Sequence, residues 1–155
     1  MPFPSCHSPA GDGDGWTHCQ QGHKHWGVHG AAGLLLRHDD HVLLQHRALW
    51  SHHGGTWGIL GGARNHAETP AEAAGREAME EAGLDPATYT VSTCFVDDHG
   101  GWSYTTVVAR AEEQVRLTGL TEETIDVRWV AVDALHELPL HPGFAASWDQ
   151  VRDLT

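Results

Sequence analysis

Between Gly62 and Leu84 the chain spells out both ends of one helix and the charge it carries. Thr69-Pro70-Ala71-Glu72 has the form of a capping box, with a hydroxyl at the N-cap, proline at the first helical position and a carboxylate three residues after the cap. Gly83 is placed to close the helix at C′, where a left-handed residue is wanted. With about 3.6 residues per turn, Glu77, Glu80 and Glu81 fall within one turn on one face. Ala71, Ala74, Ala78 and Ala82 form a separate stripe of small side chains. That stripe predicts a helix lying close on a sheet, its carboxylates beside the packed face.

Like charges at these spacings each destabilise an isolated helix by about 0.2–0.5 kcal/mol, and carboxylates beside a core also lose hydration. A hard divalent cation offsets both effects. Mg²⁺ takes oxygen ligands, keeps some of its waters and is commonly shared with substrate phosphates. Arg76 stands four residues from both Glu72 and Glu80 and can pair with either to orient the set. Gly61 and Gly62 lack a Cβ, so a backbone carbonyl can approach the same ion. An ordinary solvated acidic face accounts for Glu80-Glu81 taken alone, but not for the whole spacing.

The segment matches G-x5-E-x7-R-E-U-x-E-E-x-G-U, with U apolar, at every specified position from Gly62 to Leu84. Its seven fixed residues would coincide by chance on the order of once in 10⁸ placements. This is the Nudix box, and the chain resembles the Nudix (MutT-like) hydrolases, the flanking strand pattern extending the likeness over residues 27–155. The resemblance implies an α/β class fold, an α/β/α sandwich with a mixed β-sheet. It also implies Mg²⁺-dependent hydrolysis (Mn²⁺ as a substitute) of a nucleoside diphosphate linked to another moiety. Carried over by position, Glu77, Glu80, Glu81 and the Gly61 carbonyl are the metal ligands. Arg76 holds Glu77, while Gly62 and Glu68 support the loop or a metal water. The metals would lower the pKa of a bound water and neutralise the bridging phosphates. A further carboxylate outside the box is expected as base or ligand. Glu122, Glu123, Asp126, Asp97 and Asp98 are the candidates, Glu123 first, against the plain reading as surface acids. Two positions depart from the pattern: Leu60 stands where the family often has proline, and Gly75 lies in mid-helix.

Elsewhere the chain supplies strands and one extension. Residues 1–26, rich in Gly, His and Asp, read as a loosely structured N-terminal extension to a domain over 27–155. Ala31–Arg37 and Val42–His46 are predicted as a hairpin, Tyr89–Val96 and Tyr104–Ala111 as a second strand pair, Val127–Val132 as a further strand and Phe144–Leu154 as a closing helix. Strands on both sides of one good helix suggest a mixed sheet covered by helices. Cys19, His23 and His25, with Cys6 or His7 upstream, carry zinc-ligand chemistry. Their spacing matches none of the paired Cys/His patterns, so a His-rich surface segment is the preferred reading. His46, His52 and His53 are candidates to contact phosphate or base, and Trp50 and Trp102 to stack on a base. Trp57 is expected in the core, while Phe144 stays open between the two roles.

The 155 residues suit one domain. A formal net charge of −12 disfavours a nucleic-acid polymer as partner but not a small phosphate-bearing substrate, because a divalent cation inverts the local sign. Three scattered cysteines read as reduced thiols, and no apolar run is long enough to span a membrane. The expectation is a cytoplasmic monomer or homodimer acting on a small nucleotide. Nucleoside triphosphates, including oxidised ones such as 8-oxo-dGTP, rank first. ADP-ribose or dinucleotide cleavage ranks second, since His99-Gly100-Gly101 lacks the downstream marks of those subgroups. A non-catalytic nucleotide-sensing module ranks third, because it predicts a degenerate box.

Overall fold

The computed structural model describes residues 12–117 and 120–155. Among these, seven strands form one mixed sheet and two short ones a separate hairpin. The hairpin joins β1 (Trp16–His18) to β2 (Lys24–Trp26). In the sheet, β3 (Ala31–His38) and β4 (His41–Arg47) pair antiparallel only beside their turn, at Arg37↔Val42 and His38↔His41. Beyond that point the two strands part. β3 pairs antiparallel with β6 (Leu60–Ala63) and parallel with β8 (Ser103–Ala111), while β4 pairs with β9 (Thr124–Ala131) and with β5 (Trp57–Gly58). β7 (Tyr89–Asp98) closes the edge against β8.

The continuous apolar run of β3 follows from burial on both faces. Leu34 and Leu36 pack with Leu43, Leu60, Val107 and the alanines of α1 (Pro70–Ala82). Leu35, of opposite direction, packs with Val42, Leu44, Trp57, Val108 and the Phe144 and Val151 of α2 (Pro142–Val151). Helix, sheet and helix thus form the three layers of the expected α/β/α sandwich.

The expected cap of α1 is formed in full. Thr69 accepts from the Glu72 N–H, the Glu72 carboxylate accepts from the Thr69 N–H, and Gly83 turns left-handed at φ 69°. Two details differ from expectation. The buried stripe is Ala73, Ala74, Ala78 and Ala82, with Ala71 exposed. α2 begins at Pro142, two residues before Phe144, because His141 caps it by accepting the Gly143 N–H.

Residues 16–26, expected to be loose, are paired strands with Trp16 against Trp26, ring centroids 5.2 Å apart. Three-residue strands are too short to show a period in sequence. The segment before the hairpin also docks. Gly13 donates to Asn65 Oδ1 at 3.3 Å, and the His66 N–H donates to Asp12 Oδ1 at 2.8 Å. Cys6 and His7 lie outside the described residues. No helix among the described residues is long and apolar enough to cross a membrane.

Candidate active site

The site forms where the N-terminal half of β3, the Gly61-Gly62 strand and the carboxylate face of α1 meet. Gly61 and Gly62 lie in β6 opposite Gly33 and Ala32 of β3. A Cβ on Gly61 would overlap the Ala32 carbonyl, so glycine lets these backbones close. A Cβ on Gly62 would stand 2.6 Å from Glu77 Cδ, so glycine there makes room for a carboxylate.

Arg76 is the hub. Its Nε and Nη2 hold Glu68 in a two-point contact at 2.7 and 2.9 Å. Nη1 donates to Glu77 at 3.0 Å and to Glu80 at 3.3 Å, and Nη2 also donates to the Ala63 carbonyl. Of the two partners open to Arg76 by spacing, Glu80 is taken, while Glu72 is spent on the helix cap. Burial alone would raise Glu68, but hydrogen bonds from Arg76 and the Asn65 N–H outweigh it and hold the carboxyl below its ordinary value. That loop is further tied by Arg64, which donates to the Glu68 carbonyl.

Glu81 is only 6% exposed and accepts the Gly61 N–H at 3.0 Å. Burial first, then the charge of Glu77, pushes it well above the usual carboxylate range, and Glu123 adds to the rise. Burial likewise pushes Glu77 up to about 7, against the pull of Arg76 and with the added charge of Glu80. Glu80 stands toward solvent, its side chain 56% exposed. The donor set is all oxygen and its charge exceeds what one guanidinium offsets, which suits a hard divalent cation.

Of the outlying carboxylates, Glu123 alone is felt at Glu81. Asp126 pairs with Arg128, Asp97 with His99, and Asp98 accepts the Gly100 N–H. His52 and His53 lie together beside Arg47. Their rings are 4.0 Å apart, and His53 meets His141 edge-on at 4.8 Å. Arg47, whose guanidinium donates to the His52 carbonyl, acts electrostatically on this group and on Glu81. His46 stacks on the buried Trp57, and Phe144 is core. Trp50 stands exposed in the loop after β4. Trp102 is engaged elsewhere: its ring stacks on His25 at 3.9 Å and its indole N–H donates to the Gly27 carbonyl.

Sequence reasoning missed Arg47, Tyr104, His141 and Asp14. Tyr104 is partly buried, its hydroxyl filling the space that a Cβ on Gly33 would need; burial and the nearby Glu81 raise its pKa. Asp14, from the segment before the hairpin, adds negative charge at Glu77. A signal existed only for Arg47, one of nine basic residues in a chain of net charge −12.

The fold and this site define a hydrolase acting on phosphoric anhydrides. The NUDIX domain model matches residues 27–152, and the chain belongs to that family. It is 51% identical to the Mycobacterium tuberculosis protein named "Putative 8-oxo-dGTP diphosphatase 3", over 97% of this chain and 76% of that protein. The crystal structure of a Nudix hydrolase from M. smegmatis, RenU, superposes with a TM-score of 0.85 at 48% identity, covering 92% of this chain and 94% of that one. A C. elegans Ap4A hydrolase binary complex shares the fold at TM-score 0.64 and 19% identity, over 80% of this chain and 94% of that one.

Proposed function

We propose that this chain is a Mg²⁺-dependent pyrophosphohydrolase of a nucleoside triphosphate, of the 8-oxo-dGTP kind named for its Mycobacterium tuberculosis relative. The observation that carries the reading is the convergence of Glu68, Glu77 and Glu80 on Arg76, with Glu81 held beside them by the Gly61 N–H. Glu77, Glu80, Glu81 and the Gly61 carbonyl would hold the cation, Mn²⁺ serving in place of Mg²⁺. When bound, the cation supplies an activated water and neutralises charge on the phosphates. The chain's own part is positioning. Arg76 keeps Glu68 and Glu77 from swinging into solvent, and the Gly61 N–H fixes one Glu81 oxygen. Glu123 is the proposed proton acceptor, being the outlying carboxylate whose charge reaches Glu81. Arg47, His52 and His53 would face the phosphates, the guanidinium as a permanent cation.

The test is release of pyrophosphate from a panel of nucleotides with Mg²⁺, comparing wild type with Glu81→Gln. Glutamine keeps the size of a side chain that burial already biases toward its neutral form, so the fold should survive. The expected outcome is turnover of nucleoside triphosphates and a loss of at least about 100-fold in the variant, the scale of a lost metal contact. ADP-ribose or dinucleotides cleaved far faster than triphosphates would replace the substrate. A wild type that binds Mg²⁺ and nucleotide without turnover would make the site a sensor.

A further inference from the structure

A second cluster of ligating side chains lies away from the carboxylates, where the N-terminal hairpin meets the β7–β8 turn. The β1–β2 turn closes through Gly22 N–H to the Cys19 carbonyl and Cys19 N–H to the His23 carbonyl, both at 3.0 Å, with Gly22 at φ 82°. This brings Cys19 beside the start of β2, where His23, just before the strand, and His25, within it, stand two residues apart. The turn after β7 is docked onto the hairpin by the Gln20 N–H, which donates to the Gly100 carbonyl at 2.7 Å. Gly100 sits at φ 76°, a left-handed conformation that favours glycine. That docking delivers His99. Ligand atoms of Cys19, His23, His25 and His99 all lie within 4.8 Å of one another.

From this juxtaposition we infer that Cys19, His23, His25 and His99 form a structural zinc site that staples the hairpin to the end of the sheet. The donor types are one thiol sulfur and three imidazoles, which select zinc over the oxygen-seeking cations of the box. Two of the donors are otherwise unexplained: His25 Nε2 and His99 Nδ1 are buried with no hydrogen-bond partner. Leaving such atoms bare costs free energy that coordination recovers. The remaining ring nitrogen of His99, Nε2, bonds Asp97 Oδ2 at 3.0 Å, which fixes the ring with Nδ1 toward the cluster, the carboxylate–histidine arrangement common behind metal ligands. Trp102 stacked on His25 at 3.9 Å and 6° fixes the other ring plane. Cys19 is buried and in no disulfide, so its sulfur is free to serve as a ligand. Zinc–ligand lengths of about 2.0–2.3 Å set tetrahedral edges of roughly 3.3–3.8 Å, so closure on the ion needs only side-chain movement of about an ångström. Sequence spacing could not reveal the site because its fourth ligand comes from a distant turn, joined to the others only by folding.

The experiment uses the untagged full chain, purified without metal-affinity resin, loaded with one equivalent of zinc and desalted, with metal content read by mass spectrometry. Wild type should retain about one zinc per chain. Cys19→Ser and His99→Ala should each lose it, while His29→Ala and Glu81→Gln should keep it. Cobalt loaded in place of zinc should give wild type the thiolate-to-metal charge-transfer band and strong visible bands of a tetrahedral site, both absent from Cys19→Ser. Zinc at about 100 times its dissociation constant should raise the melting temperature of wild type by roughly 5–10 °C and leave the two ligand variants unmoved. The inference is overturned if wild type retains no zinc, or if Cys19→Ser and His99→Ala retain as much as wild type, which would place the ion on surface histidines or in the carboxylate cluster.

Discussion

At the residue scale, adjacent glycines do different work, and substitution separates them. Gly61 faces backbone: an added Cβ meets the Ala32 carbonyl and Gly33 Cα, neither of which can retreat without parting β3 from β6. Gly61→Ala should therefore cost stability, about 1–3 kcal/mol as for overpacking, visible as a lower denaturation midpoint. Gly62 faces the Glu77 carboxyl, the free end of a side chain. Gly62→Ala should leave the denaturation midpoint nearly unchanged, displace Glu77 from Arg76, and lower turnover while raising the Mg²⁺ concentration needed for half activity. Equal loss of stability in both variants would show that Glu77 is too tightly held by Arg76 to yield.

At the scale of elements, the two helices are capped by different chemistry with different pH behaviour. The α1 cap rests on a hydroxyl and a carboxylate, whereas α2 rests on the unprotonated Nδ1 of His141, which accepts the Gly143 N–H at 3.0 Å. Burial first, then the charge of Arg47, pushes His141 down to about 4 from an ordinary 6.5. A folded-state value below the unfolded one means that protons bind the unfolded chain more readily. The stability from this group is whole above pH 6.5 and is lost as pH falls toward about 4. His141→Asn keeps a cap acceptor without the titration, so its stability should fall less steeply than that of wild type over this interval in paired denaturation curves. His141→Ala should lose about 0.5–2 kcal/mol near neutrality. Parallel curves for wild type and His141→Asn would exclude His141 as a source of the acid slope.

At the scale of the whole molecule, the two core clusters share one sheet, since Leu35 faces one layer and Leu34 and Leu36 the other. The net charge of −12 works against that compact body by self-repulsion. Screening should help: the melting temperature should rise as NaCl goes from about 10 mM to 300 mM, where the Debye length falls well below 10 Å. A fall instead would mean that ion pairs such as Arg76–Glu68 outweigh the general repulsion.

What the sequence determined by itself was local. A helix with both caps, three glutamates on one face, a Gly-Gly strand beside it and the run of β3 all follow from spacings of a few residues, where backbone geometry alone decides who is adjacent. The Nudix resemblance was legible for the same reason, its motif being one continuous segment. Tertiary structure decided whatever joins distant segments. It brought Arg47 and Glu123 within electrostatic reach of Glu81. It also occupied Trp102 with His25, and carried His99 to the hairpin turn. Such contacts depend on strand order and on the docking of one turn against another, which no local period encodes.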